Sequence, residues 1–408
     1  MSSVTKDRFQ DTIETLPPLP MIAQRILSAT ESAETSADDV ALVVSEEPAI
    51  AAKVLRVVNS SFYGAGRKIT QISRAVVIMG SKAVRNLVLG ICARDTLSKK
   101  NQQTAEHSTL WQHSIVVASA SELIAKRIGF RPAEEAFIAG LLHDIGQLAM
   151  ATLKPDLFRR LLWATGPEVA VEEREQSLFG LSHAEAGYHV LKHWQLPDCL
   201  CRVVRHHHDL ALESDDSAFK LAAVVALADV LAYRLGIGFD LPCHAQKRFE
   251  LTVNSLQLDE NDLVTLLEAV ERRAVEAVEM LADSGITIRK ARPATRRAIL
   301  IAAEKQRTCD DVLFERQGYA VRRMTSEEME HVANAGELAI VYTANCDAGE
   351  FDELVRLLVM KGFARLVVVD ASPSEPLHRH RDADTGFLHV PRIFTAFDLD
   401  WLDEQVWR

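Results

Sequence analysis

A chain of 408 residues is long enough for two or three separately cored domains, and its 48% hydrophobic, 25% charged composition is that of a water-soluble protein. No window approaches the apolar run that a membrane span needs, and Met1-Ser-Ser-Val-Thr-Lys-Asp7 lacks the basic-then-apolar order of a secretory signal, so a cytoplasmic protein with no membrane role is expected. A net charge of −11 argues against a nucleic-acid binder working by bulk positive charge, and six scattered cysteines without framework spacing point to reduced thiols.

Residues 1–108 read as short helices. Leu16-Pro-Pro-Leu-Pro20 makes a stiff entry ahead of an apolar face at Ile22, Ile26 and Leu27. Asp38 and Asp39 stand where carboxylates favour a helix start, before Val40, Leu42, Val43 and Val44. Pro48 falls at or near the first position of the next helix, whose stripe of Ile50, Val54, Leu55, Val57 and Val58 runs into Asn59-Ser-Ser-Phe-Tyr-Gly64. Two more helices follow, Ile72 to Met79 and Ser81 to about Thr96, divided at Gly80. No acid–base pair or nucleophile constellation stands out in this region.

Residues 109–285 carry longer helices, with loops at Gly129-Phe-Arg-Pro132, Lys154-Pro155, Gly166-Pro167 and Leu196-Pro197. Ligating residue types interrupt these apolar helices: His113, His143-Asp144, His183, the run His206-His207-His208, and Asp229. Imidazole and carboxylate hold Zn, Mn or Fe, and an adjacent His-Asp offers one metal two kinds of donor. Asp229 is the most telling, because it lies in Leu221-Ala-Ala-Val-Val-Ala-Leu-Ala-Asp-Val-Leu-Ala232. An unpaired charge buried there is costly, so it needs a metal, a salt bridge or a proton. Arg202 and Arg205 precede the histidine run and are candidate phosphate contacts; the plainer reading is a surface ion pair with Asp198 or Asp209. Glu268, Glu271, Arg272, Arg273 and Glu276 fall at spacings that suit a solvated helix face.

Residues 286–296 read as a basic linker containing Arg289, Lys290, Arg292 and Pro293. Residues 297–408 alternate β and α, with β-type runs at Ala298–Ala303, Tyr319–Arg323, Leu338–Thr343, Arg365–Asp370 and Phe387–Val390. Helical patterns lie between them, clearest from Glu350 to Met360, and a last one follows about Asp398. This order predicts a small doubly wound α/β domain with a parallel sheet. It resembles a response-regulator receiver, which needs an acidic pair, a phosphoacceptor Asp, a hydroxyl and a Lys at successive strand ends. Here Glu304 is the one acid after strand one, Thr343 stands near the Asp position, and Pro391-Arg392 follow strand five without a Lys. Asp347 and Asp370 read as solvated loop or strand-end carboxylates. The resemblance thus implies a pseudo-receiver used for docking or dimerisation, with an unrelated flavodoxin-like fold as the alternative.

The first helical region and the His/Asp set together resemble the HDOD proteins, a bacterial signalling family related to the HD phosphohydrolases. The carriers run from Leu16 to about Leu235: Leu16-Pro-Pro-Leu-Pro20, Pro48 through Val58-Asn59-Ser60, Ile72-Ser73 to Met79-Gly80, Trp111-Gln-His113-Ser114, Gly140-Leu-Leu-His143-Asp144-Ile-Gly146, and His183-Ala-Glu-Ala-Gly187 with Trp194 and Pro197. The resemblance implies an all-helical module downstream of sensing. Set beside catalytic relatives that hydrolyse cyclic dinucleotides, it implies one metal on His113, His143, Asp144 and Asp229 and a second completed by His183 with His207 and His208. The register of the triple histidine stays open, since His206 could replace a neighbour. Two departures stand out: Gln147 where those hydrolases usually have Lys, and Asp209-Leu-Ala-Leu where cyclic di-GMP hydrolases carry Gly-Tyr-Pro.

The expectation is therefore a mainly α HDOD/HD-type module followed by a small flavodoxin-like domain, acting as a regulator through protein partners, with a homodimer open. One alternative is a metal-dependent phosphodiesterase or phosphohydrolase on a nucleotide or cyclic dinucleotide, in which Asp144 could bridge two metals and position water. The other is a sensor that binds a nucleotide without turnover. The cofactor expected is divalent Fe, Mn or Zn, mono- or dinuclear.

Overall fold

The structure, a computed structural model, describes residues 3–31, 36–59, 68–97, 104–163, 170–210, 217–239, 245–281, 296–301, 308–317, 319–324, 328, 338–342, 358, 366–370, 380–381 and 388–391. Backbone proximity divides the chain into two compact units: Met1–Ala232 with Ile237–Gln257 and Ala269–Ile288, and Tyr233–Gly236 with Leu258–Glu268 and Arg289–Arg408.

The first unit is helical. It opens with α1 (Ser3–Glu14), α2 (Met21–Glu31), α3 (Ala37–Ser45), α4 (Pro48–Val58), α5 (Ile72–Met79) and α6 (Ser81–Leu97). The starts and stops follow local chemistry. Ser36 caps α3 in a reciprocal capping box with Asp39, Pro48 occupies the start of α4, and Gly80 ends α5 at φ +87°, a conformation costly for any residue with a Cβ. Asn59 closes α4 by donating to Leu55 O and Ile69 O while accepting from the Ile69 N–H. The rest of the Asn59–Gly64 turn lies outside the described residues.

The helices that carry the ligating residues are α7 (Ala105–Arg127), α8 (Ala133–Leu142), α9 (Ile145–Leu153), α10 (Pro155–Trp163), α11 (Val171–Phe179), α12 (His183–His193), α13 (Asp198–His206) and α14 (Ser217–Arg234). α15 (Ala245–Leu256) and α16 (Glu260–Leu281) follow. α7 and α14 are buried over most of their length, as expected of helices that are apolar on every side. Ala133–Leu153 is apolar and long enough for a membrane span, which corrects the expectation that no such window exists; 83% of that window is packed inside the fold, as core on either side of His143-Asp144. Arg273 also departs from the solvated face expected for α16: its guanidinium lies 3.6 Å from Glu122 of α7, pinning one helix to the other.

Two glycines bring backbones together around the future site. A Cβ on Gly146 would stand 1.9 Å from His183 O, and one on Gly140 would stand 2.9 Å from Ala118 Cα. α9 therefore lies directly on the start of α12, and α8 on α7. The Leu16–Pro20 entry is tied to the end of α12, where His193 Nε2 and Trp194 Nε1 donate to Leu16 O and Pro17 O.

The second unit holds a six-stranded sheet: β1 (Arg296–Ile301), β2 (Tyr319–Met324), β3 (Leu338–Tyr342), β4 (Leu366–Asp370), β5 (His380–Arg381) and β6 (Leu388–Pro391), in the order β2-β1-β3-β4-β6-β5. Every neighbouring pair is parallel except β5–β6, with Ile299 opposite both Arg322 and Ala339. Strand order reverses at β1, and α17 (Cys309–Arg316) makes the crossover to β2. The five expected strands are found within a residue or two of their predicted bounds, while the two-residue β5 was too short to leave a pattern. Arg296, assigned to the linker from sequence, opens β1; the other linker residues and the helical patterns at 350–357 and after 398 lie outside the described residues.

A buried histidine and carboxylate cluster

Five imidazoles and two aspartates meet inside the helical unit. His113 comes from the middle of α7, His143 and Asp144 from the turn between α8 and α9, His183 from the first position of α12, His207 and His208 from the turn after α13, and Asp229 from α14. His143, His183 and His207 are wholly buried, and Asp144 and Asp229 are each 7% exposed.

Each ring is aimed by what its Nδ1 meets. His113 Nδ1 lies 2.9 Å from Ile237 O, His143 Nδ1 2.7 Å from Gly140 O, and His207 Nδ1 2.7 Å from Val204 O. A carbonyl only accepts, so these Nδ1 atoms carry the hydrogen and Nε2 keeps its lone pair. His183 and His208 are aimed by carboxylates on α11: Nδ1 to Glu175 Oε2 at 2.6 Å, and Nδ1 to Glu172 Oε1 at 2.8 Å. All five Nε2 atoms point inward. His113 and His143 face each other Nε2 to Nε2 at 3.3 Å, as do His183 and His208 at 2.9 Å.

Asp144 sits between the two groups. Its Oδ2 is 3.4 Å from His143 Nε2 and 3.7 Å from His113 Nε2, while Oδ1 is 3.4 Å from His183 Nε2 and 3.6 Å from His207 Nε2. Asp229 Oδ1 closes the first group at 3.1 Å from His113 Nε2. Asp144 Oδ1 and His207 Nε2 are buried without a hydrogen-bond partner among the described residues. Such atoms are rare in folded proteins, and donors converging within 4.8 Å of one another form two groups that could hold a metal ion: His113, His143 and Asp144, and Asp144, His183, His207 and His208.

The electrostatics match a cluster of bases in a dry core. Burial pushes the His143 imidazole down to about 4, with Asp144 pulling the other way. For His183 burial acts downward too, but Glu175 and Asp144 outweigh it and lift the ring to about 10. Burial alone would raise the Asp144 carboxyl; the imidazoles of His143 and His183 overcome that and hold it well below the usual carboxylate range.

Every ligand candidate named from sequence is brought into this cluster. The histidine run resolves by register: His207 and His208 turn inward, whereas His206 pairs with Asp209 at 3.1 Å. Arg205 lies over the ring of Tyr188 at 5.0 Å. Asp198, offered as a partner for Arg202 or Arg205, takes Lys192 at 2.5 Å, and the charge of Arg202 also helps to lower its carboxyl. Gln147 is buried in α9. Sequence reasoning missed Glu172 and Glu175, which stand in a charged stretch; only the structure shows that their helix buries Val171, Glu175 and Phe179. It also missed the three backbone carbonyls, which no sequence pattern marks.

With this geometry in view, comparisons with known proteins agree on the helical part. The HDOD domain family matches residues 16–210. An HDOD domain protein of unknown function from Geobacter sulfurreducens is similar at 25% identity and a TM-score of 0.59, over 69% of this chain and 98% of that one. Two further crystal structures share the fold: a candidate signal transduction protein from Marinobacter aquaeolei (24% identity, TM-score 0.57, 69% of this chain and 66% of that one) and a candidate phosphohydrolase from Shewanella amazonensis (23%, 0.54, 67% and 98%). An uncharacterized protein of Treponema pallidum is 25% identical over 227 residues, which are 54% of this chain; the chain spans 42% of that relative's length.

Proposed function

We propose, from the premise that the chain carries an HDOD domain, that it is a regulatory protein of bacterial signal transduction whose helical unit is organised around divalent metal. One observation supports this above the rest: the Nε2 atoms of four buried histidines face Asp144, half-buried His208 stands beside them, and each Nδ1 is already held in a hydrogen bond or ion pair. The three imidazoles fixed on carbonyls, His113, His143 and His207, offer Nε2 lone pairs, an arrangement that is costly without a cation and suited to Fe, Mn or Zn. His113, His143, Asp144 and Asp229 would hold one ion, and Asp144, His183, His207 and His208 a second.

On this reading the output is a protein contact, not a product. Gln147 supplies no positive charge where a phosphate-directed lysine would stand, and Asp209 follows the histidine run. The sheet unit serves docking as a flavodoxin-like pseudo-receiver, a role consistent with its strand order and with a fourth strand that ends at Asp370.

A second reading, a phosphohydrolase acting on a nucleotide or cyclic dinucleotide, is favoured by Asp144 presenting one oxygen to each group of imidazoles. A bound divalent ion would supply Lewis-acid charge for phosphoryl oxygens. Asp144 would then position the attacking water, with Arg202 and Arg205 as candidate phosphate contacts.

The test is the metal content of untagged full-length protein by elemental mass spectrometry, beside Asp144→Ala and Asp229→Ala. One or two equivalents in the wild type, reduced in both variants, with no turnover of cyclic dinucleotides or nucleotides, is the expected result. Turnover that tracks the metal would establish the second reading. No metal after reconstitution would sink both.

A further inference from the structure

We infer that Glu172 and Glu175 of α11 are the positioning carboxylates of the second metal position, the one built from His183, His207, His208 and Asp144; the inference rests on the metal reading above. The two groups of donors are not alike. His113 and His143 are oriented by neutral backbone carbonyls, and their group has Asp229 as a carboxylate of its own. The other group shares Asp144 but otherwise consists of imidazoles, none of which brings a negative charge of its own. A dication left among imidazoles in a buried site lacks compensating charge, and that lack is expensive in a low-dielectric interior.

α11 places the missing charge one layer out. Glu175 is fully buried and its Oε2 accepts twice from one residue, from the His183 backbone N–H at 2.8 Å and from His183 Nδ1 at 2.6 Å. Because His183 opens α12, that N–H is one the helix itself cannot satisfy. A single carboxylate oxygen therefore fixes both where α12 begins and how its first imidazole is turned. Glu172, three residues earlier on the same helix, holds His208 Nδ1 at 2.8 Å. The second oxygen of each, Glu172 Oε2 and Glu175 Oε1, is buried without a hydrogen-bond partner among the described residues. Carboxylates placed for structure alone would be expected to find partners for both oxygens. Backing an imidazole with a carboxylate locks the ring and makes Nε2 a stronger donor. Asp144, Asp229, Glu172 and Glu175 together carry, when ionised, the charge that balances two divalent ions.

The experiment titrates metal-free full-length protein with Co²⁺, following visible absorption and confirming stoichiometry by elemental analysis. Gln keeps an acceptor oxygen for each imidazole while removing the charge, so Glu172→Gln/Glu175→Gln tests charge and not shape. The expected result is two equivalents in the wild type, and in the double variant one equivalent bound as before with the other weakened by roughly 10–100-fold. Asp229→Asn should weaken the opposite step. If the double variant does not fold, as judged by far-UV circular dichroism, Glu172→Gln alone carries the test, since its side chain is partly exposed. Two equivalents at unchanged affinity, or equal loss of both, would overturn the inference and leave the metal reading standing. A wild type that binds no Co²⁺ would overturn both.

Discussion

The helical unit and the sheet unit both bury charged side chains, but they settle the cost in opposite ways. In the sheet unit Asp310 meets Arg234, and Asp311 takes Arg323 at 2.9 Å as well as the Thr308 N–H at 2.7 Å. Both of these buried aspartates have a protein counter-charge. In the helical unit, Asp144 is surrounded by imidazoles whose Nε2 atoms face it and one another, and one of its oxygens has no hydrogen-bond partner among the described residues. Paired burial is what a fold needs for itself. Burial that leaves donors converging on common points is what a fold keeps for something else.

The largest effect should come from breaking a closed pair. Asp310→Ala takes the carboxylate away from the Arg234 guanidinium, 4% exposed, in the sheet unit and should cost about 3–5 kcal/mol. Arg234→Met with Asp310→Leu should recover most of that, because removing both partners of a buried pair is often close to neutral. Urea denaturation of the single and double variants checks this. A double variant as unstable as the single one would mean that Asp310 acts through something other than its ion pair.

The open cluster should instead answer to protons. His143 is held near 4 by burial, below its ordinary value of 6.5. The unfolded chain therefore takes up a proton that the fold refuses, so stability is full above about pH 6.5 and is lost as pH falls toward 4, on the order of 3 kcal/mol for this group. His183 behaves oppositely. With its folded value near 10, it contributes fully below about pH 6.5 and loses that contribution as pH rises through 10. Metal-free protein should thus show a bell-shaped stability profile by thermal melting. A flat profile between pH 4 and 6.5 would place His143 in a wetter environment than its burial implies.

These contrasts also show how much the sequence made visible. His113, His143, Asp144 and Asp229 could be read because polar ligand types interrupt helices that are otherwise apolar, and the five long strands because β-type runs recur with helices between them. Glu172 and Glu175 could not be, because Val171-Glu-Glu-Arg-Glu-Gln176 looks like any solvated helix until α12 is laid against it. The choice of His207 and His208 over His206 depends on where α13 ends, and helix ends are the least determinate feature of a sequence. Ile237 O, Gly140 O and Val204 O are backbone atoms, which any residue would supply.

A packing test comes next in size. Gly146→Ala sets a methyl 1.9 Å from His183 O, so α9 and α12 must separate. Overpacking of this kind costs about 1–3 kcal/mol. The same displacement moves Asp144, two residues earlier, away from His183, so metal affinity should fall with stability. Melting and metal titration of one preparation check both, and unchanged affinity in a destabilised variant would show that the cluster does not depend on this contact.

The smallest effect separates scaffold from site most finely. Ser182 caps α12 in a reciprocal box with Glu185, and Ser36 does the same for α3 with Asp39. Ser182→Ala and Ser36→Ala should each cost about 1 kcal/mol, since each removes one cap from one helix. They should differ in what else changes. His183 is the first residue of α12, so fraying that end loosens an imidazole already turned toward Asp144 at 3.4 Å. α3 contributes no residue to the cluster. Equal losses of stability with weakened metal binding in Ser182→Ala alone would show that the cap on α12 serves the site as well as the helix. Equal binding in both would show that Glu175, which holds the His183 backbone N–H and ring together, suffices to keep that imidazole in place.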